Sequence, residues 1–130
     1  MPTPLLEKSK QSMMAAEMLI KEHNFSSTVS RAYYSCFQYI LHILFEKLGY
    51  NHDDLKAQPR TGTHSQAQYL LESTLYQKNR KDYKWFQEKL PAFKQDRVIA
   101  DYYGEALNRD FAHDAINKAN AIINTLKQYY

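Results

Sequence analysis

The sequence contains few residues that make turns, with only 3 glycines and 4 prolines among 130 residues. It also lacks any segment that alternates apolar and polar residues for long enough to form a half-buried strand. Hydrophobic residues make up 44% of the chain and charged residues 24%, which is typical of a folded globular protein and not of a disordered or membrane protein. These features predict an all-α protein, and the length predicts one domain over residues 1–130.

Cysteine is nearly absent, since Cys36 is the single one. An internal disulfide is therefore excluded, and Cys36 is expected to be a small buried hydrophobe in a reducing compartment. The first ten residues lack the basic start and unbroken apolar core of a signal peptide, and no apolar run reaches the length of a membrane span. We therefore expect a cytoplasmic protein with no membrane partner.

The net charge of +3 is too small to indicate a nucleic-acid-binding protein by itself, so a local basic patch would have to provide such a function. The 5 histidines and the cysteine show no spacing typical of a zinc motif, and we expect no metal and no cofactor. A Gly-rich phosphate loop and a Gly-x-Ser-x-Gly turn are both missing, which argues against a P-loop enzyme or a hydrolase of that type.

Residues 26–48 are predicted to form a helix that is apolar around most of its circumference. One apolar row consists of Val29, Tyr33, Cys36, Ile40 and Leu44, and the adjacent row consists of Tyr34, Phe37, Leu41, Phe45 and Leu48. The remaining strip is polar and consists of Arg31, Ser35, Gln38, His42 and Glu46. Such a helix belongs at the centre of a bundle or between a core and a subunit interface. Its polar strip is expected either to face solvent, the more common outcome, or to form a network that docks a neighbour or a ligand.

Periodicity predicts further helices on both sides of this central one. The first covers residues 4–23, and the third covers residues 63–79 and should begin with a capping box from Thr63 to Gln66. A fourth helix contains Pro91, which should kink or restart it. A last helix should be capped by Asn108 or Asp110. Residues 50–62 have no sustained period and are predicted to form the longest loop. The expected architecture is an up-and-down bundle of four to five helices.

The apolar stripe of the fourth helix continues from Phe93 to two opposite charges, Arg97 and Asp101, with Tyr102 following directly. A guanidinium held near a carboxylate stays rigid, and its remaining donors could bind a phosphate together with a phenol. The simpler alternative is an i,i+4 ion pair that orients the helix. We also expect Arg31 of the central helix to approach this pair.

His64 follows Thr63 at the start of a predicted helix, where it is either a cap-region residue or a base or phosphate contact. Two pairs, Arg60–His64 and Arg109–His113, each have three residues between the arginine and the histidine. Both spacings would bring a cation near an imidazole, as ribonucleases need, and both are equally compatible with ordinary surface neighbours.

Three segments in order resemble the HEPN domain family. The segment SRAYYSCFQYILHIL at residues 30–44 is similar to the family's signature motif, THSQAQYLL at residues 63–71 is similar to its His-led helix, and RVIADYY at residues 97–103 is similar to its Arg- and Asp-Tyr-containing segment. The resemblance covers nearly the whole chain. It implies a helical bundle that is usually a homodimer, often encoded beside a minimal nucleotidyltransferase as a toxin–antitoxin pair.

Many members of the resembled family cut RNA with an arginine that is followed after four to six residues by a histidine, brought together from two subunits. Arg97 takes the position of that arginine, but Asp101 stands where a base is needed and no histidine follows at that spacing. In some toxin members a tyrosine just beyond this motif is modified with AMP by the partner transferase. The resemblance points to Tyr102 or Tyr103 as the nearest equivalent.

The preferred hypothesis is a HEPN-like protein that binds nucleotides or RNA in a toxin–antitoxin or stress-defence system and is paired with a minimal nucleotidyltransferase. Its ligand-binding residues would be Arg97, Asp101 and Tyr102, with Arg31 and His64 as neighbours. The alternatives are a metal-independent ribonuclease toxin with a composite site at a dimer interface and a non-catalytic helical adaptor. Whether the protein is an enzyme stays open at this point.

Overall fold

The computed structural model describes residues 3–56, 62–103 and 106–130, which form helices with no strand. The helices are α1 (Pro4–Lys21), α2 (Phe25–His42), α3 (His52–Leu55), α4 (Thr63–Lys78), α5 (Arg80–Tyr102) and α6 (Arg109–Lys127). The predicted all-α bundle is confirmed, with the four-residue α3 as an addition to the expected helices. Across the same ranges, no helix is both long enough and apolar enough to cross a membrane.

Helix α2 lies at the centre of the bundle, as its apolar rows predict, and it contacts α1, α4, α5 and α6. The first row is fully buried: Val29, Cys36, Ile40 and Leu44 have no exposed surface, and Tyr33 is 1% exposed. In the second row only Phe37 is buried, and the other members are half-buried against the core. Hydrophobic burial over most of the circumference therefore accounts for the central position.

Beyond His42 the chain continues as one π-helical segment, Ile43–Lys47, before it turns at Gly49. A π-helical turn holds more residues than an α-helical turn, and the adjacent Ile43 and Leu44 at its start are both buried. Gly49 ends the helix with a φ of +77°, a conformation that glycine adopts without steric cost. Gly49 directly follows the predicted end of this helix at residue 48, whereas the π-helical turn was not predicted.

The polar strip of α2 does not mainly face solvent, which was the outcome expected to be more common. The Ser9 hydroxyl of α1 donates to the Ser35 carbonyl at 2.7 Å, and both serines are buried. The Gln38 amide lies 2.7 Å from the Ser12 hydroxyl. Because polar groups at a helix contact need partners, these bonds fix how α1 docks on α2. Of the strip, only Glu46 is fully exposed.

His42, at the C-terminal end of α2, belongs to the same strip and contacts the start of α1. The Thr3 hydroxyl accepts from the Leu6 amide as the N-cap of α1, and it lies 2.7 Å from Nδ1 of the buried His42. Burial, with a further contribution from Lys47, lowers the pKa of His42. His42 is therefore a structural residue that joins the two helices.

The loop predicted for residues 50–62 contains α3, so that part of the prediction was wrong. Asn51 and Asp54 form the capping box of this short helix by exchanging side-chain and backbone bonds. The capping box predicted between Thr63 and Gln66 is absent because Gly62, not Thr63, is the N-cap of α4. Gln66 is buried instead and donates to the Asp54 carbonyl at 3.4 Å.

Helix α5 runs through Pro91 without a restart, contrary to one of the two outcomes predicted for that residue. Pro91 lies on the exposed side of the helix, where water can satisfy the carbonyl that loses its helical donor. Phe86, Leu90 and Phe93 are buried as the stripe predicts. Helix α6 begins with Asn108 as its N-cap, which resolves the choice between Asn108 and Asp110.

Candidate functional site

An aromatic cluster on α2 brings together the three sequence segments that resemble one family. Tyr33 and Phe37 of α2 contact His64 of α4, and Arg97 of α5 lies over Tyr33 and its neighbour Tyr34. The His64 ring stacks on Phe37 with centroids 3.9 Å apart and planes 1° from parallel. The first turn of α4 and the C-terminal third of α5 therefore meet at the same part of the central helix.

His64 is held as a neutral side chain inside this cluster. Burial, followed by the positive charges of Lys94 and Arg97, lowers its pKa to about 4. Burial also raises the pKa of the Tyr33 phenol, whose oxygen lies 2.7 Å from Nδ1 of His64. Since both groups are uncharged near neutral pH, we assign the phenol as the donor and Nδ1 as the acceptor. His64 is thus more than the cap-region residue that its position suggests.

Arg97 is packed between rings and a carboxylate. The centre of its guanidinium lies 5.4 Å from the Tyr33 ring centroid and 5.7 Å from that of Tyr34, distances at which a cation is attracted to an aromatic face. It also donates to Asp101 at 3.1 Å, and the two side chains are 11% and 25% exposed. The i,i+4 ion pair predicted from the sequence is therefore present, and it holds the guanidinium at the edge of the core.

The guanidinium of Arg97 is not fully satisfied by these contacts. Its Nε is buried and has no hydrogen-bond partner among the residues that the structure describes. An unpaired buried donor carries a desolvation penalty, which the aromatic contacts and the ion pair must offset. Because such an arrangement is unfavourable for a purely structural side chain, it marks Arg97 as the residue around which the candidate site is centred.

Arg31 approaches the Arg97–Asp101 pair, as predicted from the sequence. Its guanidinium lies 5.2 Å from the centroid of Tyr34, so the two arginines share this ring. Arg31 and Asp101 also line one open cleft of about 480 Å³ between α2 and α5. The other lining residues are Leu19, Ser26, Ser27, Ser30 and Ala100.

The serine hydroxyls of this cleft were not identified from the sequence as part of a site, because residues 26–28 indicate a turn and an N-cap equally well. The spacing of Ser27 and Ser30 on the same helix as Arg31 is the signal that could have shown them. Together the serines add neutral donors beside the guanidinium of Arg31 and the carboxylate of Asp101.

Two tyrosines predicted near the site lie outside the cleft. Tyr102 is 75% exposed and Tyr103 is 55% exposed, and neither lines the cleft of Arg31 and Asp101. Tyr102 is the last residue of α5 and Tyr103 is its C-cap. The structure therefore brings together Arg97, Asp101 and Arg31 but does not add Tyr102 to them.

The two Arg–His pairs suggested by sequence spacing are Arg60–His64 and Arg109–His113, and the structure does not show either as a hydrogen-bonded pair among the described residues. Arg109 lies 3.1 Å from Nε2 of His23 and over the ring of Phe25, so it does not pair with His113, whose Nδ1 is near Asn117. Arg60 of the other pair lies outside the described residues. Within the described ranges no group of three His, Cys, Asp or Glu side chains could hold a metal ion.

No curated protein and no solved structure matches the chain. A family model described as the HEPN domain matches residues 3–129, which is nearly the full length of the sequence. The chain therefore belongs to the HEPN domain family.

Proposed function

We propose that this protein binds a nucleotide or RNA through the cleft lined by Arg31 and Asp101, with Arg97 held beside it by its ion pair to Asp101, as a component of a toxin–antitoxin or stress-defence system. Membership of the HEPN family supports a nucleotide- or RNA-related function in general. The observation that carries the proposal is that the guanidinium groups of Arg31 and Arg97 lie over one ring, that of Tyr34, and that Arg31 together with Asp101, the ion-pair partner of Arg97, lines an open cleft.

Phosphate is the ligand group that suits this cleft. A guanidinium is planar and always charged, and it binds phosphate oxygens through two parallel hydrogen bonds. Asp101 neutralises one of the two cations and holds Arg97 in place, which leaves one positive charge in excess. The hydroxyls of Ser26 and Ser30 supply donors that need no change of charge.

Binding fits the geometry better than RNA cleavage within one chain. A general base works best with a pKa near the working pH, whereas the pKa of His64 is lowered to about 4. Its Nδ1 is also occupied by the Tyr33 phenol. Arg109 and His113, the other pair with the required residue types, have different hydrogen-bond partners, His23 and Asn117 respectively.

The proposal includes a homodimer of one HEPN-like domain over the length of the chain and a minimal nucleotidyltransferase as partner. Family members often dimerise, which supports the first of these. The phenols of Tyr102 and Tyr103 are exposed, so a partner transferase could reach either of them as a modification site. In this arrangement the bundle acts as the adaptor that presents both the cleft and the tyrosines.

Fluorescence anisotropy with a short labelled RNA and with ATP tests the cleft. Removing a charge-assisted hydrogen bond should weaken binding about ten-fold or more, so Arg31→Ala and Arg97→Lys should both lose affinity. Lys10→Ala, an exposed cation of α1 outside the cleft, is the matched control and should bind as wild type. Equal affinity of both arginine variants and wild type for RNA and ATP would overturn the cleft assignment.

Two further measurements address the assembly. Co-purification with the nucleotidyltransferase encoded by a neighbouring reading frame is expected, and a monomer by light scattering at on the order of tens of micromolar would contradict the dimer. Expression that degrades RNA in wild type but not in Arg97→Ala would instead establish the ribonuclease alternative.

A further inference from the structure

A second surface, outside the cleft, combines exposed aromatic rings with positive charge. It is a groove of about 430 Å³ between α4 and α5, which we call the tyrosine groove. Its lining residues are Tyr69, Glu72, Ser73, Tyr76, Tyr83 and Gln87. Tyr69 is 62% exposed and Tyr76 is 45% exposed, and both belong to the few large apolar side chains that the described chain leaves in solvent.

The rings lie along one line of the surface. Tyr69 and Tyr76 are seven residues apart on α4, so they lie on the same face about two turns, or 10 Å, from each other. Tyr83 of α5 meets Tyr76 edge to face with centroids 5.2 Å apart. Gln87 donates to the Tyr83 hydroxyl at 3.1 Å, which fixes that ring in the wall of the groove.

Positive charge begins where the line of rings ends. Arg80 places its guanidinium 5.0 Å from the Tyr76 ring centroid, and residues 78–84 contain four exposed cations and one carboxylate. The formal charge of this segment therefore equals the +3 of the whole chain. Its one carboxylate, that of Asp82, accepts a hydrogen bond from the Tyr129 hydroxyl, which draws it toward α6.

Glu72 lies in the groove between Tyr69 and Tyr76, away from the basic segment. Burial raises its pKa, and Gln68 donates to its carboxylate at 2.6 Å. A carboxylate disfavours a phosphate between the rings but accepts from the amino groups of bases. The groove is thus suited to bases, and the basic segment at its end is suited to the phosphate backbone.

We propose that the tyrosine groove and the basic segment of residues 78–84 bind single-stranded RNA, with unpaired bases stacked on Tyr69 and Tyr76 and the backbone held by the cations. Stacking platforms beside a basic groove are the general means of binding single strands, since every base has a face that can stack. This inference rests on the proposed function, because it takes RNA rather than a free nucleotide as the ligand. It adds a second RNA-contacting surface that is separate from the cleft.

The test measures binding of a labelled single-stranded RNA of about ten nucleotides, its duplex form and ATP. Removing each stacking ring should weaken single-strand binding about five-fold or more, so Tyr69→Ala/Tyr76→Ala should have a clear defect. Tyr76→Phe keeps the ring and should bind as wild type. Met14→Ala/Met18→Ala removes two side chains of matching exposure, 62% and 63%, from α1 and is the control for surface changes.

The contribution of the basic segment is tested separately, by measuring how RNA affinity depends on salt concentration. Lys81→Ala/Lys84→Ala should lower the slope of log affinity against log salt by about 0.7 for each RNA phosphate that the variant no longer neutralises. Because these residues and both tyrosines are exposed, the variants are expected to keep the wild-type unfolding midpoint, measured in parallel.

The outcomes separate this inference from the proposed function. Unchanged RNA affinity of Tyr69→Ala/Tyr76→Ala, alongside a loss in Arg97→Lys, would overturn the groove and leave the cleft. A loss in the tyrosine variant with unchanged Arg31→Ala and Arg97→Lys would support the groove and overturn the cleft. Duplex RNA bound as tightly as the single strand, or no binding of RNA by wild type, would overturn the groove as a stacking surface.

Discussion

The Tyr33 hydroxyl lies 2.7 Å from Nδ1 of His64 and joins the central helix α2 to the first turn of α4. The two rings are nearly parallel, and His64 continues the stack onto Phe37. Because both partners come from segments that resemble the HEPN family, their contact gives these residues a physical role. They connect α4 to the core beside Arg97 and so position one wall of the candidate site.

Tyr33→Phe should lower the free energy of unfolding by about 1 kcal/mol, since it leaves a partly buried nitrogen of His64 without its donor. Urea unfolding followed by circular dichroism measures the change. Tyr69→Phe removes an exposed hydroxyl and should stay within about 0.5 kcal/mol of wild type. Equal stability of Tyr33→Phe and Tyr69→Phe would mean that the hydrogen bond contributes nothing.

Stability should fall as the pH is lowered from about 7 to 4, in part because of His64. Its pKa is about 4 in the folded protein and near 6.5 when unfolded, so the unfolded state binds more protons in this window. The contribution is therefore complete above pH 6.5 and is lost as the pH falls to 4. Because solvent screens a partly exposed ring, we expect His64 to lower the free energy of unfolding by roughly 1–2 kcal/mol between pH 7 and pH 4.

His64→Phe isolates this contribution, because carboxylates and His42 titrate alike in both proteins. The free energies of unfolding of variant and wild type should differ by an amount that changes between pH 7 and pH 4. Parallel curves across that window would contradict the lowered pKa.

Asp101→Asn should lower the free energy of unfolding by less than about 1 kcal/mol, because a partly exposed ion pair contributes little to stability. High salt should make this difference smaller. Arg97→Ala should cost more, because it also removes the packing of the guanidinium on Tyr33 and Tyr34. Thermal unfolding at low and high salt measures both. The reverse order of the two variants would show that the ion pair, and not the stacking, holds Arg97.

The thiol of Cys36 should not react with a thiol reagent in the native protein. It has no exposed surface, and burial raises its pKa, so the reactive thiolate is rare. Its labelling rate should follow global unfolding and rise steeply with denaturant. Rapid labelling in buffer alone would indicate that the centre of α2 opens locally.

Periodicity predicted which helices form and which faces they bury, because 3.6-residue spacing reports directly on a single buried face. The rows of α2 and the Phe86, Leu90 and Phe93 stripe of α5 are examples. Helix boundaries were less predictable where two neighbouring residues can each serve as the N-cap, as Gly62 and Thr63 can at the start of α4. The capping box at Thr63 was wrong because Gly62 starts the helix and the packing of α3 draws Gln66 inward.

Candidate site residues were predictable where charge interrupts an apolar stripe, as at Arg97 and Asp101. Distances between helices were not. Arg109 and His113 share a helix and a suggestive spacing, yet Arg109 reaches across 86 positions of sequence to His23. Tyr76, Arg80 and Tyr83 belong to two helices, and only the packing of α4 against α5 places the Tyr83 ring and the Arg80 guanidinium beside the Tyr76 ring.

The sequence by itself determined an all-α bundle in which α2 is covered on most sides, by the bundle or by a subunit interface, since a helix that is apolar around most of its circumference is unstable in water. Only the tertiary structure decided the fate of the polar groups on that helix. Hydrogen-bond partners from α1 buried Ser35 beside Ser9, and the approach of α5 set Arg31 and Arg97 on the ring of Tyr34. A polar side chain takes its role from the partner that reaches it, and that partner comes from a distant part of the chain.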